Sequence, residues 1–91
     1  MNVLRISVVS QNGEEVVLKV EGWVSEENVS VLEEEGERWF RQVSRLVLDL
    51  SGVRFIEDAG IELLQRWYGE RLTLRDLSPF LHALLEAHHL V

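Results

Sequence analysis

The chain is predicted to fold as one α/β domain with a mixed four-stranded sheet, and two observations lead to this prediction. Segments in which apolar and polar residues alternate are interleaved with segments in which apolar residues recur every three or four positions, in the order β-β-α-β-α-β-α. No linker, repeat or low-complexity tract interrupts the 91 residues, a length that supports one core. We therefore expect a single domain over residues 1–91, with right-handed crossovers between its parallel strands.

The first two strands are predicted over residues 3–9 and 16–23, where the apolar side chains alternate with polar ones. In the second strand Val16, Leu18 and Val20 share one phase, whereas Trp23 falls in the polar phase. Asn12-Gly13 lies between the two strands and tolerates the positive φ angles of a tight hairpin turn. The two strands should therefore pair antiparallel, at or near one edge of the sheet.

The first helix is expected to begin after Ser25, whose hydroxyl is placed to accept a free N–H of the first turn. Its glutamates are expected to form a solvated face, and its arginines to lie near its C-terminus, where cations oppose the helix dipole. The core stripe is predicted to comprise Val29, Leu32, Gly36, Trp39 or Phe40, and Val43; the arginines are Arg38, Arg41 and Arg45.

The third strand is predicted over residues 46–50 and is apolar in both phases except at Asp49, as expected of a central strand covered on two sides. Ser51-Gly52 is expected to end it. The second helix should span residues 59–68, with Asp58 as its N-cap and Gly69 at its end.

The fourth strand is predicted over residues 71–74 and the third helix over residues 79–89. Ser78-Pro79 combines a capping hydroxyl with the proline favoured in the first helical turn. The apolar side of this helix should carry Leu81, Leu84, Leu85 and His88.

Charge and composition exclude several classes of partner. Nine basic residues against 16 acidic ones give a net charge of −7, which repels nucleic acid and anionic lipid. There is no cysteine, and no apolar run approaches the roughly 18 residues of a membrane span. The N-terminus lacks the pattern of a signal peptide. We therefore predict a cytoplasmic protein without direct membrane insertion.

Three groups of residues carry side chains that could serve catalysis or metal binding. Glu57 and Asp58 are adjacent carboxylates, but general acid–base work needs a pocket and unequal environments. Asp49 ends a strand as a phosphoacceptor does, yet no acidic pair follows the first strand, so we expect it to accept hydrogen bonds from loop N–H groups. His82, Glu86 and His89 have a spacing that suits a divalent metal. We predict a protein that is not an enzyme, with no cofactor and no metal site.

The segment Leu-Val-Leu-Asp-Leu-Ser-Gly-Val-Arg-Phe-Ile-Glu-Asp-Ala-Gly-Ile, residues 46–61, resembles the core motif of STAS domains. This family comprises bacterial anti-sigma-factor antagonists, which regulate transcription, and the cytoplasmic domains of sulfate-type transporters. In its regulated members the hydroxyl residue directly before the glycine is phosphorylated by a partner kinase. That position is Ala59 here, so the resemblance implies a turn without the covalent switch.

The resemblance also implies where a partner protein binds, because the turn and the following helix form the contact surface in this family. Leu63 and Trp67 are expected to form the apolar anchor of that surface. The partner is either an anti-sigma factor or a transporter ATPase. Asp58 either caps the helix or also supplies some of the charge of a phosphoryl group. The predicted partner-binding residues are Glu57, Asp58, Ala59, Gly60, Glu62, Leu63, Arg66 and Trp67.

Overall fold

The computed structural model describes residues 3–91, and residues 1 and 2 of the predicted domain lie outside them. The order β-β-α-β-α-β-α and the mixed four-stranded sheet are confirmed. No helix in residues 3–91 is long and apolar enough to cross a membrane. The elements are β1 (Leu4–Gln11), β2 (Glu15–Val24), α1 (Val29–Phe40), β3 (Arg45–Ile56), α2 (Asp58–Trp67), β4 (Leu72–Arg75) and α3 (Pro79–Ala87).

The strands lie in the order β1-β2-β3-β4, with β1 antiparallel to β2 and the other two pairs parallel. The predicted antiparallel hairpin is therefore confirmed, but its turn is closed differently from our prediction. The Asn12 side-chain oxygen accepts the N–H groups of Glu14 and Glu15 at 2.8 and 2.9 Å. Within residues 3–91, the glycines with positive φ are Gly22 and Gly69, so Gly13 does not use that conformation.

One face of the sheet forms the core together with all three helices. Leucines of β3, α2 and α3 are among its most deeply buried side chains. Val17 and Val47 are also buried, but they lie outside this cluster, and the alternation of a strand places them on the other face. The helices therefore pack on one face of β3, while on its other face Val47 is buried without joining this cluster. The buried leucines that β3, α2 and α3 contribute to the core are Leu46, Leu48, Leu50, Leu63, Leu64, Leu81 and Leu85.

Strand β3 does not end at Ser51-Gly52 as predicted, but continues to Ile56. Its register with β2 shifts twice, between Lys19 and Glu21 and again between Gly22 and Trp23 of β2. Asp49 accepts the Ser51 N–H at 2.9 Å, as predicted for this carboxylate, and this bond holds the pKa of Asp49 below its ordinary value of 3.8. The Ser-Gly pair thus marks a bulged segment of the strand.

Helix α1 begins at Val29, later than the predicted start after Ser25. The buried Ser25 instead forms a reciprocal pair with Asn28. Its N–H donates to the Asn28 side-chain oxygen at 2.8 Å, and its Oγ accepts the Asn28 N–H at 3.3 Å. Arg45 lies in β3 rather than near the helix end, and it pairs with Glu15 at 2.9 Å.

Helix α3 begins as predicted, since Ser78 Oγ accepts the Leu81 N–H at 3.1 Å and Pro79 opens the first turn. The helix ends at Ala87, however, and His89 lies beyond it with a φ of 61°. His82, Glu86 and His89 therefore do not share one helical face. Within residues 3–91, no group of three His, Asp or Glu side chains is arranged to hold a metal ion.

Candidate functional site

The carboxyl ends of β2 and β3 lie side by side because the two strands are parallel. The Glu57 N–H, just after β3, donates to the Val24 carbonyl at the end of β2 at 2.8 Å. Ligand sites of open α/β sheets characteristically lie beyond this end of the strands. A cleft of about 300 Å³ occupies it and is lined by Glu26, Phe55, Glu57, Asp58 and Ala59. The sequence predicted the last three of these residues but not Glu26 or Phe55.

Glu57, not Asp58, is the N-cap of α2. The N-cap prediction for Asp58 is wrong because the helix begins at Asp58 itself, and the side chain of Glu57 makes no capping bond. Glu57 reaches across to β2 instead. Its Oε2 accepts the Trp23 indole N–H at 2.9 Å, and its Oε1 accepts the Glu26 N–H at 3.1 Å. This one carboxylate therefore ties the start of α2 to the end of β2.

Gly60 allows the first turn of α2 to lie directly on the sheet. A Cβ atom at this position would stand 2.6 Å from Ile56 Cγ2 and 2.7 Å from Val24 Cγ1. The expected close approach at Gly60 is thus confirmed, and its neighbours are the last residues of β2 and β3. Ala59 is half-buried in the wall of the cleft and offers a methyl group where a hydroxyl residue would offer an oxygen.

The predicted apolar anchor of Leu63 and Trp67 is wrong, because both side chains belong to the core. Leu63 is 0 % exposed and Trp67 is 8 % exposed. The Trp67 ring lies over Gly36 of α1, stands edge-on to Phe40 at 5.5 Å, and donates its indole N–H to Glu37 at 2.7 Å. Helix α2 packs against both α1 and the sheet, so Leu63 and Trp67, which the prediction left at the surface, are buried together with Ile61 and Leu64.

The exposed side of α2 is polar. Asp58, Glu62 and Arg66 follow each other at intervals of four residues, which places them on one face of the helix, and all three are exposed. Arg66 pairs with Glu33 of α1 at 3.0 Å. Neither Asp58 nor Glu62 takes part in an ion pair within residues 3–91. Two acidic side chains of the predicted surface are therefore available to a partner.

Three aromatic rings beside the cleft were not predicted as part of the site. Trp23 of β2 and Phe55 of β3 have ring centroids 5.2 Å apart, and Phe80 of α3 lies 5.9 Å from Phe55. Trp23 is 36 % exposed and Phe80 is 55 % exposed. We call these three residues the aromatic row. The position of Trp23 in the polar phase of β2 was the one sequence signal for it.

Comparison with solved structures finds the same fold in anti-sigma-factor antagonists. The antagonist from Mycobacterium paratuberculosis superposes with a TM-score of 0.76 at 23% identity, covering 97% of this chain and 80% of that one. Unphosphorylated SpoIIAA gives a TM-score of 0.72 at 16% identity, with coverages of 94% and 82%. The STAS domain of an antagonist from Rhodobacter sphaeroides gives 0.55 at 21% identity, with coverages of 80% and 86%. These superpositions establish a shared fold.

The sequence itself identifies the family. Among curated proteins none matches the chain. The family model described as "Mlab, STAS domain", however, matches residues 7–90. This range begins within β1 and includes the whole of the other six elements. The chain therefore belongs to the STAS domain family.

Proposed function

We propose that this chain is a regulatory domain that binds a partner protein, in the manner of an anti-sigma-factor antagonist. It acts by binding that partner rather than by converting a substrate. The observation that carries the proposal is the turn between β3 and α2. It lies at the carboxyl edge of the sheet, presents the exposed Asp58, which is in no ion pair within residues 3–91, and is held in place by Glu57 and Gly60. Such a turn presents a defined surface to another protein at little entropic cost.

The binding surface comprises the turn and the exposed side of α2. Asp58 and Glu62 meet a basic patch of the partner, while Arg66 lies at the rim of the surface. Leu63 and Trp67 support this surface from within the core and do not touch the partner. The buried Gly60 holds the turn against the sheet, and the residues of the surface are Glu57, Asp58, Ala59, Glu62 and Arg66.

Glu62→Lys is expected to weaken the complex with the cognate anti-sigma factor about tenfold or more, because it places a cation opposite the partner's basic patch. The measurement is isothermal titration of this chain with the purified anti-sigma factor. Glu62 lies within α2 and caps nothing, so the fold should be unaffected. Glu70→Lys is the matched control, since it makes the same charge change at an exposed residue beyond the other end of α2. Equal affinities of wild type and Glu62→Lys would show that the surface is misplaced.

Ala59 makes this member of the family independent of phosphorylation at the turn. We expect no phosphate on residues 57–60 of the wild-type chain after incubation with ATP and the partner kinase, whereas Ala59→Ser should accept one phosphoryl group. Mass spectrometry of the intact and digested protein measures both results. Stoichiometric phosphate on Ser51 of the wild-type chain would contradict the proposal, because it would place a covalent switch elsewhere in β3.

A second candidate is an accessory subunit that docks on the ATPase of a transporter. Ala59 favours it, because a subunit that remains docked needs no covalent switch. Both candidates use the same surface in a cytoplasmic complex. They are distinguished by titrating the chain with each purified partner, the anti-sigma factor and the ATPase.

A further inference from the structure

The aromatic row joins three elements that are distant in the sequence. Trp23 lies near the end of β2, Phe55 lies near the end of β3, and Phe80 lies in the first turn of α3. The rings follow one another at 5.2 and 5.9 Å, and Phe55 also lines the cleft. Exposed aromatic side chains grouped in this way are typical of the centre of protein interfaces.

The row is held in place before any partner arrives. Trp23 is oriented by the hydrogen bond from its indole N–H to Glu57. Phe80 is oriented by the start of α3, where Ser78 caps the helix and Pro79 restricts the backbone. A preorganised ring loses little conformational entropy on binding, so its buried area is converted efficiently into affinity.

The charge around the row is predominantly negative. Glu26, Glu57 and Asp58 line the adjoining cleft, and none of them takes part in an ion pair within residues 3–91. Arg54, the exposed cation directly before Phe55, is likewise in no ion pair there. An apolar ring surface beside three carboxylates is complementary to a side chain with both a flat apolar face and a positive charge. Arginine meets this description better than lysine, because its guanidinium stacks on a ring while donating hydrogen bonds to carboxylates.

We propose that the aromatic row is the anchor of the partner interface, and that the partner segment covering it presents an arginine flanked by apolar side chains. This inference rests on the proposed function and extends its surface from α2 across the ends of β2 and β3 to α3. The arginine stacks on the row and pairs with Glu26 and Asp58, while its apolar neighbours cover Phe55 and Phe80.

The test uses the full chain labelled with ¹⁵N and the acetylated, amidated peptide Gly-Ser-Leu-Arg-Leu-Ser-Gly, compared with peptides that carry Lys, Gln or Glu in place of Arg. The arginine peptide should produce saturable shifts of the Trp23 indole N–H and of the amides of residues 55–59. Its affinity should exceed that of the glutamine peptide about fivefold or more and should fall with added salt. Equal binding of the arginine and glutamine peptides, or shifts confined to other surfaces, would overturn the inference.

Variants of the chain separate the contributions of ring and charge. Phe80→Ala and Asp58→Asn should each lower the affinity for the arginine peptide about threefold or more, while the remaining amide spectrum shows an intact fold. Tyr68→Ala is the matched control, because Tyr68 is 61 % exposed and lies at the opposite end of α2. A loss of affinity in Tyr68→Ala equal to that in Phe80→Ala would also overturn the inference.

The same variants distinguish this inference from the proposed function when they are titrated with the anti-sigma factor. If Glu62→Lys weakens that complex while Phe80→Ala leaves it unchanged, the proposed function stands and the aromatic row is not the anchor. If the factor does not bind the wild-type chain, the proposed function fails, and the peptide titration still decides whether the row selects arginine.

Discussion

Leu63→Ala is expected to lower the free energy of unfolding by about 2 to 5 kcal/mol, the range found for leucines that are removed from packed cores. Leu63 is completely buried in the cluster that joins α2 to the sheet, so truncation leaves a cavity among side chains that cannot all collapse into it. A domain of this size has a total stability of about 5 to 15 kcal/mol, and the loss is a large part of it. Urea unfolding followed by circular dichroism measures the effect.

Val31→Ala is the matched control for this result. Val31 is an exposed apolar residue within α1, and its truncation should change stability by no more than about 0.5 kcal/mol. Partner affinity of the folded Leu63→Ala chain should remain close to that of wild type. If Leu63→Ala kept its stability but lost its affinity for the partner, Leu63 would instead be an exposed anchor, contrary to its burial.

Gly60→Val is expected to destabilise the chain by about 1 to 3 kcal/mol and to displace the start of α2. Its Cβ would lie well inside van der Waals contact with Ile56 and Val24, whose branched side chains are buried and have little freedom to move. The higher helix propensity of valine offsets only part of this cost. Because Asp58 and Ala59 precede Gly60 in the same turn, partner affinity should fall together with stability. Thermal melting and partner titration are the measurements.

Gly13→Ala provides the control for Gly60→Val. No atom lies within 4 Å of a Cβ built at Gly13, and this residue does not have a positive φ. The change should therefore leave both stability and affinity within error of wild type. If Gly60→Val behaved in the same way, the close approach of α2 to the sheet would not be what holds the turn.

The order of the elements, the hairpin and the turn containing Ala59 followed from the sequence alone. Each depends on local properties of the chain: the period of its apolar residues, the capping side chain of Ser78 and the short connections between strands. Residues 57–60 were predicted as the candidate site for the same reason, because they are contiguous and carry their own pattern. The predicted ends of the elements were less accurate where the same local residues are compatible with two different structures. Ser51-Gly52 ends many strands, but here the pairing with β2 and a bulge carry β3 onward to Ile56.

Which side chains face the solvent was decided only by the tertiary structure. The helical period of α2 places its apolar residues on adjacent sides of the helix. It does not show how many other elements α2 packs against. Contact with both α1 and the sheet buries Leu63 and Trp67 together. In the same way, the aromatic row depends on strand register and on the start of α3, which bring residues 23, 55 and 80 together. Sequence periodicity is a property of one segment, whereas burial and a shared surface are properties of several segments packed together. The fold was therefore predictable from the sequence, while the composition of the proposed binding surface was not.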